Sequence, residues 1–297
     1  MFPIIGFVII FSSAIGGFML AGGNPLVLLQ PVEFIVIMGT GIGSLFIGVP
    51  SHALIHLIKD IPQVFKGSKY KRKDYLDMLV FLAIFLKVVK TKGFLAVEKD
   101  IEKPIESELF LKFPKFIFDP ELLSFTQQYL RTIAMGVDNP YHLDEVLGTE
   151  IEQYSTKYLK ESAKVLQTLA DGLPALGIVA AVLGVILAMA SIAEPPEVLG
   201  HLIGAALVGT FLGVFVSYGI VGPMGGHLIA INEQDMNMHK CIHQVLLNFL
   251  HGYAPAIAVE LGRKTLPINY KPTFEDLEEA VYNNGKKSSD PGSETKE

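Results

Sequence analysis

The chain has little cysteine and lacks the common sequence motifs of metal and nucleotide sites. Its 297 residues include one cysteine, Cys241, which excludes an intramolecular disulfide framework and any metal site made of clustered cysteines. The sequence has no Walker phosphate loop, no GxGxxG motif after a strand and no HExxH zinc motif. A net charge of -6 and the lack of a basic-aromatic motif argue against nucleic-acid binding. We therefore predict no cofactor and no nucleic-acid partner.

Charged side chains are absent from four long stretches of the chain, residues 1–32, 34–58, 173–193 and 202–226. About 20 apolar residues span a bilayer as a helix, so these stretches predict four transmembrane helices in two hairpins, embedded in membrane lipid. The mean hydropathy of +0.42 is typical of a membrane protein. The first stretch is long and has no basic start, which favours a transmembrane helix over a cleaved signal peptide.

The remaining segments predict an all-α protein whose soluble mass lies on one side of the membrane. Six basic residues fall between positions 59 and 73, whereas the two hairpin tips carry none, so the positive-inside rule places this side and both termini in the cytoplasm. The predicted organisation has transmembrane helices 1 and 2 at 1–58 and transmembrane helices 3 and 4 at 171–226. A cytoplasmic helical domain occupies 59–170. A cytoplasmic C-terminal helix with a disordered tail, which begins at residue 283, occupies 227–297.

Turn and capping residues predict where the cytoplasmic helices begin and end. A helix that starts near Asp74 should end at Gly93, and another should start at Asp119, with Pro120 in its first turn, and end at Gly136. The segment 141–177 is polar and periodic and then enters the third span without a helix breaker. It predicts one long helix that leaves the membrane.

The third and fourth spans combine small residues with hydroxyl groups but contain no Asp, Glu, Lys or Arg. Ion relays through membranes generally use such charged groups, so the missing acid should come from a partner helix. Thr210 could offer an oxygen to a passing cation, although close Gly/Ala packing between helices is the plainer interpretation of these residues. Pro174 and Pro223 could act as hinges or could simply mark helix ends.

Several stretches of this sequence closely resemble the MotA family of flagellar motor stator subunits, within the MotA/TolQ/ExbB proton channel superfamily. They are "LPALGIVAAVLGVI", "HLIGAALVGTFLGVFVSYGIVGP", "GYAPAIAVELGRKTLP" and "KTKGFLAVEKDIEKPIESELF". The resemblance runs in order over most of the chain, from the first span to about residue 279. It implies a multi-pass protein of the bacterial inner membrane that is not an enzyme but converts ion-motive force into torque.

The resemblance also implies partners and functional residues. It implies a homopentamer around two copies of MotB, whose transmembrane Asp binds the ion, and a cytoplasmic contact with the rotor protein FliG. The family's coupling prolines fall on Pro174 and Pro223, and its membrane threonine falls on Thr210. Rotor-facing charges fall on Lys90, Glu98 and Glu150; position 90 is commonly Arg in the family, and Lys lacks the rigid fork of that side chain.

The coupling ion is predicted to be a proton. Sodium-driven members place a threonine on the third span where this chain has Ala180 and Ala181, so the pocket lacks one hydroxyl that a dehydrated sodium ion would use. Thr210, backbone carbonyls or water could still complete a sodium site. Two other functions stay open, namely a TolQ/ExbB-type energiser of an envelope system and a scaffold without ion coupling. Four spans with the large soluble part after the second argue against the energiser.

Overall fold

A computed structural model describes residues 2–136, 140–155 and 161–287, and in these ranges the regular elements are all helices. The predicted all-α fold is therefore confirmed. The α-helices are α1 (Phe2–Leu20), α2 (Pro31–Gly48), α3 (Ser51–Lys66), α4 (Arg72–Lys92), α5 (Glu98–Glu102), α6 (Glu108–Leu111), α7 (Pro114–Phe118), α8 (Pro120–Ala134), α9 (Pro140–Ser155), α10 (Glu161–Ala190), α11 (Pro196–Val216), α12 (Gly222–Leu250), α13 (Pro255–Thr265) and α14 (Phe274–Lys287). A five-residue π-helix, Ser217–Val221, joins α11 to α12.

Within the described ranges, four helical segments are long and apolar enough to cross a membrane, as the sequence predicts. They are Phe2–Leu20, Pro25–Gly48, Glu161–Ala190 and Pro196–Leu250. No residue of α1 is buried, and large apolar side chains such as Ile4, Val8 and Ile9 are exposed. An apolar surface of this size is typical of contact with lipid or with another protein.

The second span is shorter than the sequence predicts. The charge-free stretch runs to Ile58, but α2 ends at Gly48 and a separate amphipathic helix, α3, begins at Ser51. Val49 takes an extended conformation with φ -122° and ψ 135°. The reason is Pro50, because a residue that precedes proline is disfavoured in the helical region and Pro50 itself has no N–H to donate.

The chain folds as two compact units, and the predicted domain boundaries do not coincide with them. One unit is formed within residues 1–67 and 156–232 and the other within 68–155 and 233–297. The predicted boundaries at residues 58, 170 and 226 fall inside α3, α10 and α12.

The first unit is organised around α10, which packs against α2, α3 and α11. Its core includes Ile37, Leu45, Leu57, Leu173 and Leu228, each less than 8% exposed. Burial of these side chains fixes α10 beside α11, and this helix pair holds most of the candidate site.

The second unit is organised around α4, whose Tyr75, Phe81 and Phe85 are fully buried. Helices α13 and α14 pack against it. The predicted caps are present: Gly93 follows α4 with φ 78°, and the Asp119 carboxylate accepts a hydrogen bond from the Leu122 backbone N–H at 3.2 Å. Gly136 lies beyond α8 with φ 84°. A positive φ at these positions costs glycine little, which is why glycine ends both helices.

The C-terminal region contains more helix than the sequence predicts. Instead of one helix after residue 227, α12 ends near Gly252 (φ 89°) and α13 and α14 follow. Thr273 and Asp276 form a reciprocal cap at the start of α14, with two N–H···O bonds of 3.1 Å. Residues 283–287, which we assigned to a disordered tail, continue α14, and the Asn284 side-chain amide donates to the Ala280 carbonyl at 2.9 Å.

Two predictions reach beyond the described residues. The rest of the tail, 288–297, lies outside them. So does the junction 156–160 between α9 and α10, and the single long helix through this junction therefore stays a prediction.

Candidate ion pathway and coupling site

Helices α10 and α11 approach each other through glycine. A Cβ atom built on Gly213 would lie 2.7 Å from the Gly177 Cα and 2.7 Å from the Leu173 carbonyl oxygen. One built on Gly184 would lie 2.7 Å from the Ala206 Cβ. Backbones come this close only where side chains are absent or small, so these positions need glycine for packing. The plainer packing interpretation is thus correct for Gly177, Gly184 and Gly213.

The residues predicted for the ion pathway lie at one level of this helix pair. Ala180 is buried, and its Cβ would lie 3.3 Å from a Cβ on Gly209, while the Ala181 backbone nitrogen would lie 3.4 Å from the same point. Thr210 follows Gly209 on α11 and is half-buried. The structure therefore brings Ala180 and Ala181 beside the backbone that carries Thr210.

One acidic residue lies closer to this level than the sequence suggests. In the sequence Glu33 separates the charge-free stretches 1–32 and 34–58, and in the structure it lies in the first turn of α2. Its Cγ is 3.5 Å from a Cβ position on Gly209. Glu197 likewise lies in the first turn of α11. The prediction that the spans contain no acid is therefore wrong, because the helices α2 and α11 each include a glutamate in their first turn. A carboxylate is favourable at a helix N-terminus, and this preference could have assigned both residues to the helices.

Pro174 lies in the interior of α10, so it does not mark a helix end. Proline has no N–H, and the Ala170 carbonyl four residues earlier consequently loses its usual donor within the helix. The Ser217 hydroxyl donates to this carbonyl oxygen from the neighbouring helix at 2.5 Å, and the contact is buried. In the sequence Ser217 is only one of the hydroxyl residues of the fourth span, and no local pattern indicates this hydrogen bond.

Pro223 also lies within continuous helix. The π-helix Ser217–Val221 immediately precedes it, and α11, the π-helix and α12 together form a 55-residue helical segment, Pro196–Leu250. The Gly222 N–H donates to the Ser217 carbonyl, a bond across five residues instead of four. A π-turn and a proline are two recognised causes of helix distortion, and here they are adjacent. The helix-end interpretation is wrong for both prolines.

Lys90 and Glu98, the predicted rotor-facing charges, lie on consecutive elements of the second unit. Lys90 is exposed in the last turn of α4, and Glu98 is exposed at the start of α5, with the turn at Gly93 between them. Glu98 lines a groove with Leu95 and Met135, whose side chains are 86% and 83% exposed. The groove therefore combines the exposed Glu98 carboxylate with apolar surface, and its lining also includes Glu102 and Arg131.

An ion pair in the lining of this groove connects α5 and α8. The Arg131 guanidinium donates two hydrogen bonds to the Glu102 carboxylate, at 2.7 Å and 2.6 Å. Two parallel bonds of this kind hold both side chains in a defined geometry. Glu102 is consequently already paired, whereas Glu98 presents its charge at the rim of the groove.

Glu150 differs from these two residues. It lies on α9 and is half-buried, and desolvation raises the pKa of its carboxyl group. Glu150 thus lies on a different helix from Lys90 on α4 and Glu98 on α5.

Two protein-family models together match most of the sequence of this chain. A family described as motility protein A N-terminal matches residues 4–93, and the MotA/TolQ/ExbB proton channel family matches residues 121–240. The chain is 38% identical to motility protein A of Salmonella typhimurium, over 95% of each chain. It is 34% identical to chemotaxis protein LafT of Vibrio parahaemolyticus, over 92% of this chain and 96% of that protein. The chain belongs to the motility protein A family.

The fold agrees with this assignment. A solved C. jejuni MotAB structure has a TM-score of 0.72 and 24% sequence identity, and the match covers 90% of this chain and 95% of that one. The chain is accordingly a flagellar motor stator subunit and a membrane protein, and it is not an enzyme. The comparisons do not favour the alternative of a TolQ/ExbB-type energiser.

Proposed function

We propose that this subunit surrounds the transmembrane helices of a MotB dimer as a homopentamer and that ion binding to a MotB Asp drives rotation of the ring. The observation that carries the proposal is the glycine-packed pair α10 and α11, where Gly209, the neighbour of Thr210 in the chain, lies beside Ala180 and Ala181. Residues 173–193 and 202–226 of this pair contain no charged side chain. An ion relay needs a titratable group; Glu33 of α2 lies near Gly209, and the carboxylate that binds the ion comes, on this proposal, from a partner helix against this face. Solved structures with the same fold are MotAB complexes, which supports the choice of partner.

The energy available per ion is consistent with a mechanical step. One elementary charge that crosses 100 mV releases about 2.3 kcal/mol. We propose that this energy turns the ring and that Lys90, Glu98 and Glu150 act on FliG of the rotor. Lys90 and Glu98 are exposed, which supports electrostatic steering, whereas Glu150 is half-buried and less accessible. No bond is made or broken in this cycle.

We further propose that the subunit lies in the bacterial inner membrane with both termini in the cytoplasm. Support comes from the basic residues at 59–73, which the positive-inside rule assigns to the cytoplasmic side. Cysteine-accessibility labelling at an exposed position of α14, in intact cells and in lysed cells, tests the orientation. Labelling in intact cells by a membrane-impermeant reagent would contradict it.

Reconstitution into liposomes tests the role of the partner. The chain alone should show only background ion flux, and co-reconstitution with MotB should raise flux above that level. Thr210→Val replaces the hydroxyl with a methyl group of similar size and should lower flux at unchanged complex yield. If Thr210→Val changes only the yield of the complex, the residue has a scaffold role. Flux from the chain alone above background would refute the need for a partner acid.

We propose the proton as the coupling ion. A proton needs one titratable carboxylate and a water path, whereas sodium needs several oxygen ligands to replace its hydration shell. Ala180 and Ala181 add no side-chain oxygen beside Thr210. Swimming speed in potassium buffer without sodium, at fixed proton-motive force, should stay unchanged. Rotation that stops there and returns with millimolar sodium would contradict the assignment.

A further inference from the structure

We infer that Ser217 is a positioning residue that ties the two proline-weakened helices to each other and transmits movement between them. The inference deepens the proposed function, because it adds a coupling residue to Pro174 and Pro223. It depends on one buried contact, from the Ser217 hydroxyl to the Ala170 carbonyl oxygen at 2.5 Å.

The acceptor in this contact exists because of Pro174. In an uninterrupted α-helix the N–H of residue 174 would bond the carbonyl of residue 170, and proline removes that donor. Ala170 is 2% exposed, so water cannot readily replace the missing bond. A buried carbonyl without a donor is costly, and Ser217 on the neighbouring helical segment supplies the donor.

The donor lies at the one place where the second helix is also distorted. Ser217 is fully buried and is the first residue of the π-helix that precedes Pro223. The Ser217 hydroxyl donates a hydrogen bond to the Ala170 carbonyl oxygen. The Ser217 backbone carbonyl accepts a hydrogen bond from the N–H of Gly222, five residues later in the chain. A Cβ on Gly222 would lie 3.8 Å from the Ala170 Cβ, so the two helices touch at this level. Ser217 therefore connects the turn weakened by Pro174 directly to the turn weakened by Pro223.

The surroundings leave this junction room to change shape. An apolar cavity of about 250 Å³ borders the π-helix, and its lining includes Gly219, Pro223, Phe2 and Phe7. The contact of Gly177 with Gly213, by contrast, is too close to allow much movement. A change in the bend at Pro174 would consequently move Ser217 and the π-turn instead of being absorbed in a loose interface.

A double-mutant cycle tests the hydrogen bond itself. Pro174→Ala restores a backbone N–H at residue 174, which can bond the Ala170 carbonyl and make the Ser217 hydroxyl redundant. In the protein with Pro174, Ser217→Ala should raise amide hydrogen exchange around the junction about tenfold, the effect expected for an orphaned buried carbonyl. In the Pro174→Ala background the same change should alter exchange by less than about twofold.

Thr168→Ala is the matched control, because the Thr168 hydroxyl bonds the Lys164 carbonyl within α10 at 2.8 Å. It should show no dependence on residue 174. An equal effect of Ser217→Ala in both backgrounds, or no effect in either, would overturn the inference. The measurement uses the purified stator complex and does not depend on torque, so it can fail or succeed independently of the proposed function.

The coupling role has its own readout. Ser217→Ala should lower rotation speed at high load while the number of stator units in the motor and the membrane level of the protein stay unchanged. Normal speed at high load in a variant that has lost the hydrogen bond would show that Ser217 is structural only and would overturn its assignment as a coupling residue.

Discussion

Replacement of Gly213 with alanine should force α10 and α11 apart and destabilise the stator. The new Cβ would lie 2.7 Å from both the Gly177 Cα and the Leu173 carbonyl oxygen. Ordinary contacts between carbon atoms are about 3.5–4.0 Å long, so the helices would have to separate locally by roughly 1 Å. Both contacted atoms belong to the backbone and cannot rotate away. An overpacked contact of this kind costs about 1–3 kcal/mol.

Gly204 provides the matched control on the same helix. A Cβ at this position meets no atom within 4 Å, so Gly204→Ala introduces the same methyl group without a clash. It should be neutral or slightly stabilising, because alanine favours helix by up to about 1 kcal/mol over glycine. Thermal unfolding in detergent and swimming on soft agar measure the two effects. Equal stability and motility of the two variants would refute the packing argument.

Three other perturbations have defined expected results. The double reversal Lys90→Glu with Glu98→Lys should impair swimming at normal membrane level and ring assembly, and complementary reversals on FliG should restore part of the motion. Pro174→Ala and Pro223→Ala should each lower torque without preventing assembly, because a restored backbone hydrogen bond stiffens the helix. Burial lowers the pKa of His239 to about 4 in the folded protein, whereas the same side chain in the unfolded chain is protonated below about pH 6.5. Stability should therefore fall as pH decreases from 6.5 towards 4, by at most about 3 kcal/mol, and His239→Phe should reduce this fall.

Each of these expectations has an outcome that contradicts it. Loss of the double-reversed protein from the membrane would assign Lys90 and Glu98 a folding role. Unchanged speed under load in both proline variants would remove the prolines from the coupling mechanism. For the pH dependence, the exposed His227→Phe is the control. If it changes the acid sensitivity as much as His239→Phe does, burial is not the cause.

Local sequence signals were sufficient for much of the helical framework. Gly93, Asp119 and Gly136 each act through a preference that belongs to one residue and its neighbours, such as a positive φ or a side-chain cap. The long charge-free stretches likewise report a property of each segment alone. These features could be predicted because no distant contact is needed to produce them.

The features that were predicted wrongly or missed have two physical origins. The break at Pro50 and the cap at Thr273 follow from turn chemistry that is present in the sequence. The hydropathy and polarity patterns alone do not indicate them. The position of Glu33 beside Gly209 and the bond from Ser217 to Ala170 are of another kind. Each joins residues far apart in the chain, and their proximity depends on how α2, α10 and α11 pack. No local pattern contains that information.

The magnitudes support the proposal that the prolines and the π-turn take part in coupling. One ion that crosses 100 mV releases about 2.3 kcal/mol, and a typical backbone hydrogen bond contributes about 1 kcal/mol to stability. An intact transmembrane helix would have to break several such bonds to bend sharply. At Pro174 one bond is already missing, and at the Ser217–Val221 π-helix the ladder is already shifted. A single ion can thus drive a bend at these turns, while the Gly177–Gly213 contact keeps the adjoining segments together as the bend occurs.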